Sequence, residues 1–399
     1  MKRENIFWLF LLLFLCVSFC ALLIGAEYTL RALLPLKLPM YRPDTHSIAS
    51  FIPNLDRNRP IWKDLVVNLK TNDIGVRDNT NISPDNADVW IFGDSNMAAL
   101  FLPFQDTFGE TLERLYGDTI TAINFGVDGY GPDQSLGRFL DANHQSTAKA
   151  VVFNIFADND YGDLFRNNIY RFSEGKVSVR ENIERDPVFK LERFLLYKGL
   201  QRIGITPWVH TPEEYYHPLH LGKKLPSNSK DEFNSWLNIS EQEYANYRAG
   251  MWTSWNGDHY DYEIAAHPNG EMARSARKLI SYILKTAINE YKGKKDCFVV
   301  LIQPSEIDVG GDHPVNRDTF SSYFPDYSPR AMVDIAIAAA KENDLPYIDL
   351  FKSFSDNPAD YYFKQTELSA DNHWNVNGIL KAARLVQSHL TTHGCMDTN

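Results

Sequence analysis

Short, uninterrupted apolar runs alternate with longer amphipathic stretches over most of this chain, and the lengths of the two separate strands from helices. Asp88–Phe92 (DVWIF) reads as a buried strand, followed by a helix from about Asn96 and a second helical stretch over 106–116. Strand Ile120–Asn124, helix 133–145 and strand Ala150–Ile155 come next. Helix 270–291, strand Cys297–Gln303, helix 329–342, the short strand Pro346–Leu350 and helix 376–391 complete the order. VVFNIF and CFVVLI are apolar at nearly every position, as expected of strands covered on both faces. Alternation of this kind predicts an α/β fold, a parallel sheet with helices on both sides.

Three regions break the rhythm. Ile6 to Ala26 is a 21-residue stretch without a charge, long enough for a helix to cross ~30 Å of hydrocarbon. Lys2 and Arg3 precede it, so the positive-inside tendency puts the N-terminus in the cytoplasm and the remainder outside, periplasmic or extracellular. A cleaved signal peptide is the competing reading. Gly25-Ala26 offers small residues before a cut, but Ile24 fits the −3 place poorly and the apolar run exceeds a usual signal core. A retained anchor, residues 1–26, is the preferred expectation, and either reading exports the domain. Residues 27–87 read as a connecting region, with Pro35, Pro39, Pro43, Pro53 and Pro60 and two short β-like stretches, Asp64–Leu69 and Thr71–Arg77. Residues 161–269, rich in Tyr, Trp, His and Pro, read as an insertion or lid within a domain spanning 88–395.

Composition narrows the function classes. Hydrophobic content of 44% and charged content of 23% are those of a globular protein. A net charge of −11 argues against a nucleic-acid partner, because phosphate binding needs clustered Lys and Arg. Of the four cysteines, Cys16 and Cys20 lie in the apolar run. A Cys297–Cys395 disulfide fits an exported domain, though two cysteines alone leave it open. His210, His217 and His220 have no recognised ligand spacing, so neither a metal nor an organic cofactor is expected.

Four segments carry candidate chemistry. Gly93-Asp94-Ser95 follows strand VWIF, at the strand-to-helix turn where α/β enzymes present reactive groups; on its own the tripeptide reads first as a helix N-cap. Asn124-Phe-Gly126-Val-Asp-Gly129-Tyr-Gly131 follows strand ITAI. Its glycines let backbone N–H groups approach a ligand, and their spacing does not match a dinucleotide loop. Ala157-Asp158-Asn159-Asp160 follows VVFNIF, and Asn159 there can supply a side-chain N–H to an oxyanion, or simply belong to a polar loop. Asp371-Asn-His373-Trp-Asn375-Val-Asn-Gly378 precedes the last helix, a place for a proton-accepting His and an Asp that orients it, or for an ordinary cap. Together the four supply a nucleophile, oxyanion donors, a base and its orienting acid.

In this combination the chain resembles the SGNH/GDSL hydrolase superfamily, over about 88–160 and 295–390. The resemblance implies a flavodoxin-like three-layer α/β/α sandwich with a parallel sheet. It also implies Ser95 as nucleophile, His373 and Asp371 as base and orienting acid, and an oxyanion hole formed by Ser95, Gly129 and Asn159. The stretch LKTNDIGVRD, with Asn72, Gly75 and Arg77, is similar to what precedes GDS in membrane-anchored members. One departure matters: a single residue separates Asp371 from His373, and this D-x-H-W form is similar to polysaccharide O-acetyltransferases of the alginate type. Three function classes are open on this reading. The first is an exported esterase acting on an acylated carbohydrate or another ester. The second is an O-acetyltransferase of an envelope or exported polysaccharide, served by an acyl-donor membrane protein. The third is a non-catalytic scaffold. Trp252, Trp255, His259 and Tyr260 in the insertion are candidate substrate contacts, with a packed lid core as the alternative.

Overall fold

The computed structural model describes residues 3–33, 40–44, 46–62, 65–78, 82–145, 147–167, 169–173, 176–179, 261–311, 317–363 and 373–397. Helix α1, Arg3–Leu33, contains an apolar span, Asn5–Thr29, long enough to cross a membrane; the hydrophobic stretch of a signal sequence meets the same measure. The described residues from Tyr41 onward belong to a second compact unit.

That unit begins with two antiparallel ribbons, β1 (Tyr41–Asp44) with β2 (Ile48–Phe51) and β3 (Asp56–Trp62) with β4 (Leu65–Lys70). Two prolines of this region sit in two-stranded ribbons, Pro43 in β1 and Pro60 beside a register shift in β3, positions where a missing N–H is tolerated. Side-chain bonds tie the first ribbon to the chain after strand β6 (Ala122–Asn124). The Tyr130 hydroxyl donates to Ser47 Oγ at 2.8 Å, Gln134 Nε2 to the Ser47 carbonyl at 2.8 Å, and the Tyr41 hydroxyl to Asp128 Oδ2 at 3.1 Å. Residues 41–51, expected as connecting chain, therefore pack on the sheet-bearing unit.

The main sheet has five parallel strands: β5 (Val89–Phe92), β6, β7 (Ala150–Ala157), β10 (Phe298–Pro304) and β11 (Tyr347–Asp349). A small ribbon of β8 (Tyr170–Ser173) and β9 (Lys176–Val179) lies between β7 and β10 in the chain. The spatial order β6-β5-β7-β10-β11 corresponds to 2-1-3-4-5, the doubly wound flavodoxin-like arrangement. Alternate residues face alternate layers. Trp90 and Phe92 pack with Phe125, Phe139, Phe153 and Phe298 under the helices Pro132–Gln145, Glu271–Glu290 and Ala331–Glu342. Val89 and Ile91 pack with Val152, Val299 and Leu301 under the helices Phe108–Leu115 and Val376–Thr392. β5, β7 and β10 are buried at every position, which explains why their sequences lack polar alternation. The molecule is thus a three-layer α/β/α sandwich.

Chain order reverses at β5. The chain leaves it towards β6 on one side and later returns to β7 on the other, opening a crevice at the carboxyl ends of these strands, where sheets of this type hold ligands. Among the described residues, this edge carries the Gly93-Asp94-Ser95 turn and the loops that bear Gly129 and Asn159.

Candidate active site

Gly93 and Asp94 follow β5, and Ser95 opens a four-residue helix, α2 (Ser95–Ala98). Both readings of this tripeptide hold at once. Asp94 is the N-cap, its Oδ1 accepting the Asn96 N–H at 3.1 Å, while Ser95 at the first helical position turns its hydroxyl to the histidine loop. The Ser95 Oγ lies 2.7 Å from His373 Nε2, across 278 residues of sequence. That is hydrogen-bond distance, the separation a serine nucleophile and its general base require.

His373 is held by its neighbours. Its carbonyl accepts the Phe363 N–H at 3.0 Å, and Trp374 bridges to Tyr362 in a short antiparallel contact. The Trp374 ring is buried against Phe354, so it serves the core rather than a substrate. Asn375 caps the closing helix, Val376–Thr392, its Oδ1 accepting the N–H groups of Asn377 and Gly378. Asp371, the expected orienting acid, lies outside the described residues, as do Trp252, Trp255, His259 and Tyr260.

Gly129 and Asn159 follow β6 and β7, the strands flanking β5, so their loops border the Ser95 turn on either side. Gly129 adopts a φ of +76°, a left-handed turn that disfavours a side chain. The Asn159 carbonyl accepts the Asp163 N–H at 3.0 Å at the start of the helix Asp160–Asn167. Asp160 Oδ2 accepts the Phe156 N–H at 2.7 Å, and the Asp261 N–H donates to the Asp158 carbonyl at 2.8 Å. The far end of the insertion is therefore bonded to the Asn159 turn.

Asn96, not anticipated from sequence, joins the Ser95 turn to the His373 segment. Its Oδ1 accepts the Trp374 N–H at 3.0 Å, and its Nδ2 donates to Asp94 Oδ2 at 3.4 Å. A polar residue directly after the serine was the available signal. Phe101, also unforeseen, stacks obliquely on the His373 ring at 4.2 Å between centroids; nothing local distinguishes it from a core aromatic.

Carboxyls buried at this edge titrate late. Burial pushes Asp94 up to about 7, against hydrogen bonds from Asn96 and Ser95 that favour the charged form. Burial likewise pushes Asp133 up to about 8 and Asp160 well above the carboxylate range. Because these folded-state values exceed the unfolded ones, the stability attached to the neutral forms is complete below about pH 4 and is lost as the pH rises through 7 to 8. Unfolding free energies from denaturant titrations should therefore decline over that interval, and Asp133→Asn should flatten the decline. An equally steep fall in the variant would show that Asp133 ionises at no cost to the fold.

No protein-family model and no curated protein matches the sequence. Among solved structures, the chain is similar to a lipase/acylhydrolase from Enterococcus faecalis, at 12% identity and a TM-score of 0.37, covering 78% of this chain and 98% of the other. It is also similar to LAE5, an alpha/beta hydrolase enzyme from the metagenome of Lake Arreo, Spain, at 11% identity and a TM-score of 0.33, covering 79% and 98%. At these values the likeness bears on neither substrate nor activity, and the functional reading rests on the side-chain geometry.

Proposed function

We propose that the protein is an exported, membrane-anchored serine esterase of the SGNH/GDSL type that removes acyl groups, acetyl foremost, from a carbohydrate or another ester. The observation that carries this reading is the 2.7 Å contact between Ser95 Oγ and His373 Nε2 at the carboxyl edge of a doubly wound sheet. Ser95 Oγ attacks the acyl carbonyl carbon as His373 Nε2 takes its proton, with Asp371 orienting the imidazole. The N–H groups of Ser95 and Gly129 and the Asn159 side chain receive the oxyanion. His373 then protonates the leaving alcohol, and water, deprotonated by the same ring, releases the acid from the acyl-serine. Transit of the α1 segment through or into a membrane, N-terminus inward, brings the domain to an oxidising side, which agrees with the Cys297–Cys395 disulfide.

An O-acetyltransferase uses the same acyl-serine and differs only in its acceptor, a sugar hydroxyl in place of water. The D-x-H-W block favours keeping this second reading. The scaffold reading leaves the short serine–histidine contact without a purpose. Purified full-length chain in detergent, given p-nitrophenyl acetate with and without an acceptor oligosaccharide, separates the three. Steady release of nitrophenol without acceptor supports the esterase, acetylated oligosaccharide supports the transferase, and a folded but inert protein rejects both.

A further inference from the structure

We propose that Arg77 is a positioning residue for the catalytic pair, acting from the ribbon region outside the α/β core. The proposal rests on the serine-esterase reading above. Arg77 is buried, and its guanidinium lies at the carboxyl end of α2. Nη1 donates to the Ala98 carbonyl at 2.9 Å and to the Ala99 carbonyl at 2.5 Å, and Nη2 donates to the Leu102 carbonyl at 2.7 Å. α2 stops after one turn, where Ala99 takes a left-handed φ of +48° and its carbonyl also accepts the Leu102 N–H at 3.0 Å, so the helix does not continue to bond the carbonyls at its end.

Two catalytic groups depend on this segment. Towards the N-terminus, the Ala99 N–H closes on the Ser95 carbonyl at 2.8 Å and the Ala98 N–H on the Asp94 carbonyl at 2.9 Å, so the clamp sets the end of the turn that presents the nucleophile. Within the clamped stretch lies Phe101, whose ring walls the imidazole of His373. One side chain thus holds both the turn bearing Ser95 and the surface against which its base rests. A planar fork with several donors reaches three diverging carbonyls, whereas the single ammonium of a lysine cannot reproduce that geometry.

Arg77 is itself aimed by a tight turn. Asn72 Oδ1 accepts the N–H groups of Ile74 at 3.2 Å and Val76 at 2.9 Å, the Asn72 N–H donates to the Val76 carbonyl, and Thr71 bridges to Arg77. Gly75 has a φ of +76°, and a Cβ there would sit 2.3 Å from the Phe51 carbonyl oxygen, so only glycine fits. The Asn72, Gly75 and Arg77 pattern has a physical purpose on this account: it is the mount for the nucleophile's clamp.

The test compares wild type, Arg77→Lys, Phe101→Leu and the double variant, each as full-length chain in detergent, by thermal midpoint, kcat and KM for p-nitrophenyl acetate, and labelling rate with a fluorophosphonate. Wild-type labelling, lost in Ser95→Ala, reports on the esterase reading alone; a wild type that does not label removes that reading and this proposal with it. Given labelling, Arg77→Lys should lower kcat and the labelling rate by up to ~10²-fold with KM little changed, the effect of a displaced catalytic group. The double variant should be no slower than Arg77→Lys, because both changes act through one segment. An undiminished kcat in Arg77→Lys, or losses that simply multiply in the double variant, overturns the proposal. Should Arg77→Lys fail to fold, Phe101→Leu decides alone: a wild-type kcat there overturns it, and a lowered kcat at constant KM supports it.

Discussion

Replacing Ser95 with alanine is expected to lower ester turnover by ~10⁴-fold or more and to abolish covalent labelling by a fluorophosphonate. The hydroxyl is the group that contacts His373 Nε2, and removing it leaves the imidazole with no nucleophile to activate. His373→Ala should cost a similar factor, and the double variant should be no worse than either alone, because the two side chains act as one unit. Ser95→Ala also removes the hydroxyl's 3.3 Å bond to Asp94 Oδ2, but the Asn96 N–H and Nδ2 still bond the Asp94 carboxylate directly and keep the cap of α2. Ser95→Ala should therefore fold with a thermal midpoint close to wild type, so lost activity reports chemistry and not collapse. Full labelling of Ser95→Ala, with the adduct mapped elsewhere by mass spectrometry, would falsify the nucleophile assignment.

Removing the Cys297–Cys395 disulfide should cost stability heavily and chemistry little. The bond joins cysteines 98 residues apart in sequence. In the chain-entropy account, a closed loop of that size restrains the unfolded state by up to ~4.7 kcal/mol, with native disulfides usually worth ~2–5 kcal/mol. It ties the end of the closing helix to the residue before β10, at the amino edge of the sheet. His373 precedes the opposite end of that 17-residue helix, ~25 Å away at 1.5 Å per residue. A Cys297→Ala/Cys395→Ala variant should thus melt markedly lower, at ~2–4 °C per kcal/mol for a domain this large, while kcat of the folded fraction stays near wild type. An unchanged midpoint, with four free thiols titrated in the native chain instead of the two of Cys16 and Cys20, would show that the bond is not formed.

Much of the layered fold was legible along the chain. DVWIF, VVFNIF and CFVVLI read as strands because strands buried on both faces need no polar alternation, and β5, β7 and β10 fall over those runs. The long helices at 271–290 and 376–392 were equally plain from their period. The ribbons at 41–70 were harder, because prolines and short strands mimic a linker until a partner surface is known. At the site, Ser95 and His373 were anticipated and are brought together, and Gly129 and Asn159 follow the two strands beside β5. The Asn96 bridge and the Phe101 wall were not, since each depends on a neighbour far away in sequence.

What the amino-acid order determined by itself was local: which stretches extend, which coil, where turns fall, and which polar residues end up at strand ends. Those properties follow from side-chain period and backbone preference within a few residues. Only the tertiary structure decided the strand order 2-1-3-4-5, the meeting of Ser95 with His373, the pairing of Cys297 with Cys395 and the reach of Arg77 to the carbonyls after Ser95. Such pairings are selected by how whole faces pack against one another, and no short window of sequence contains both halves of the contact.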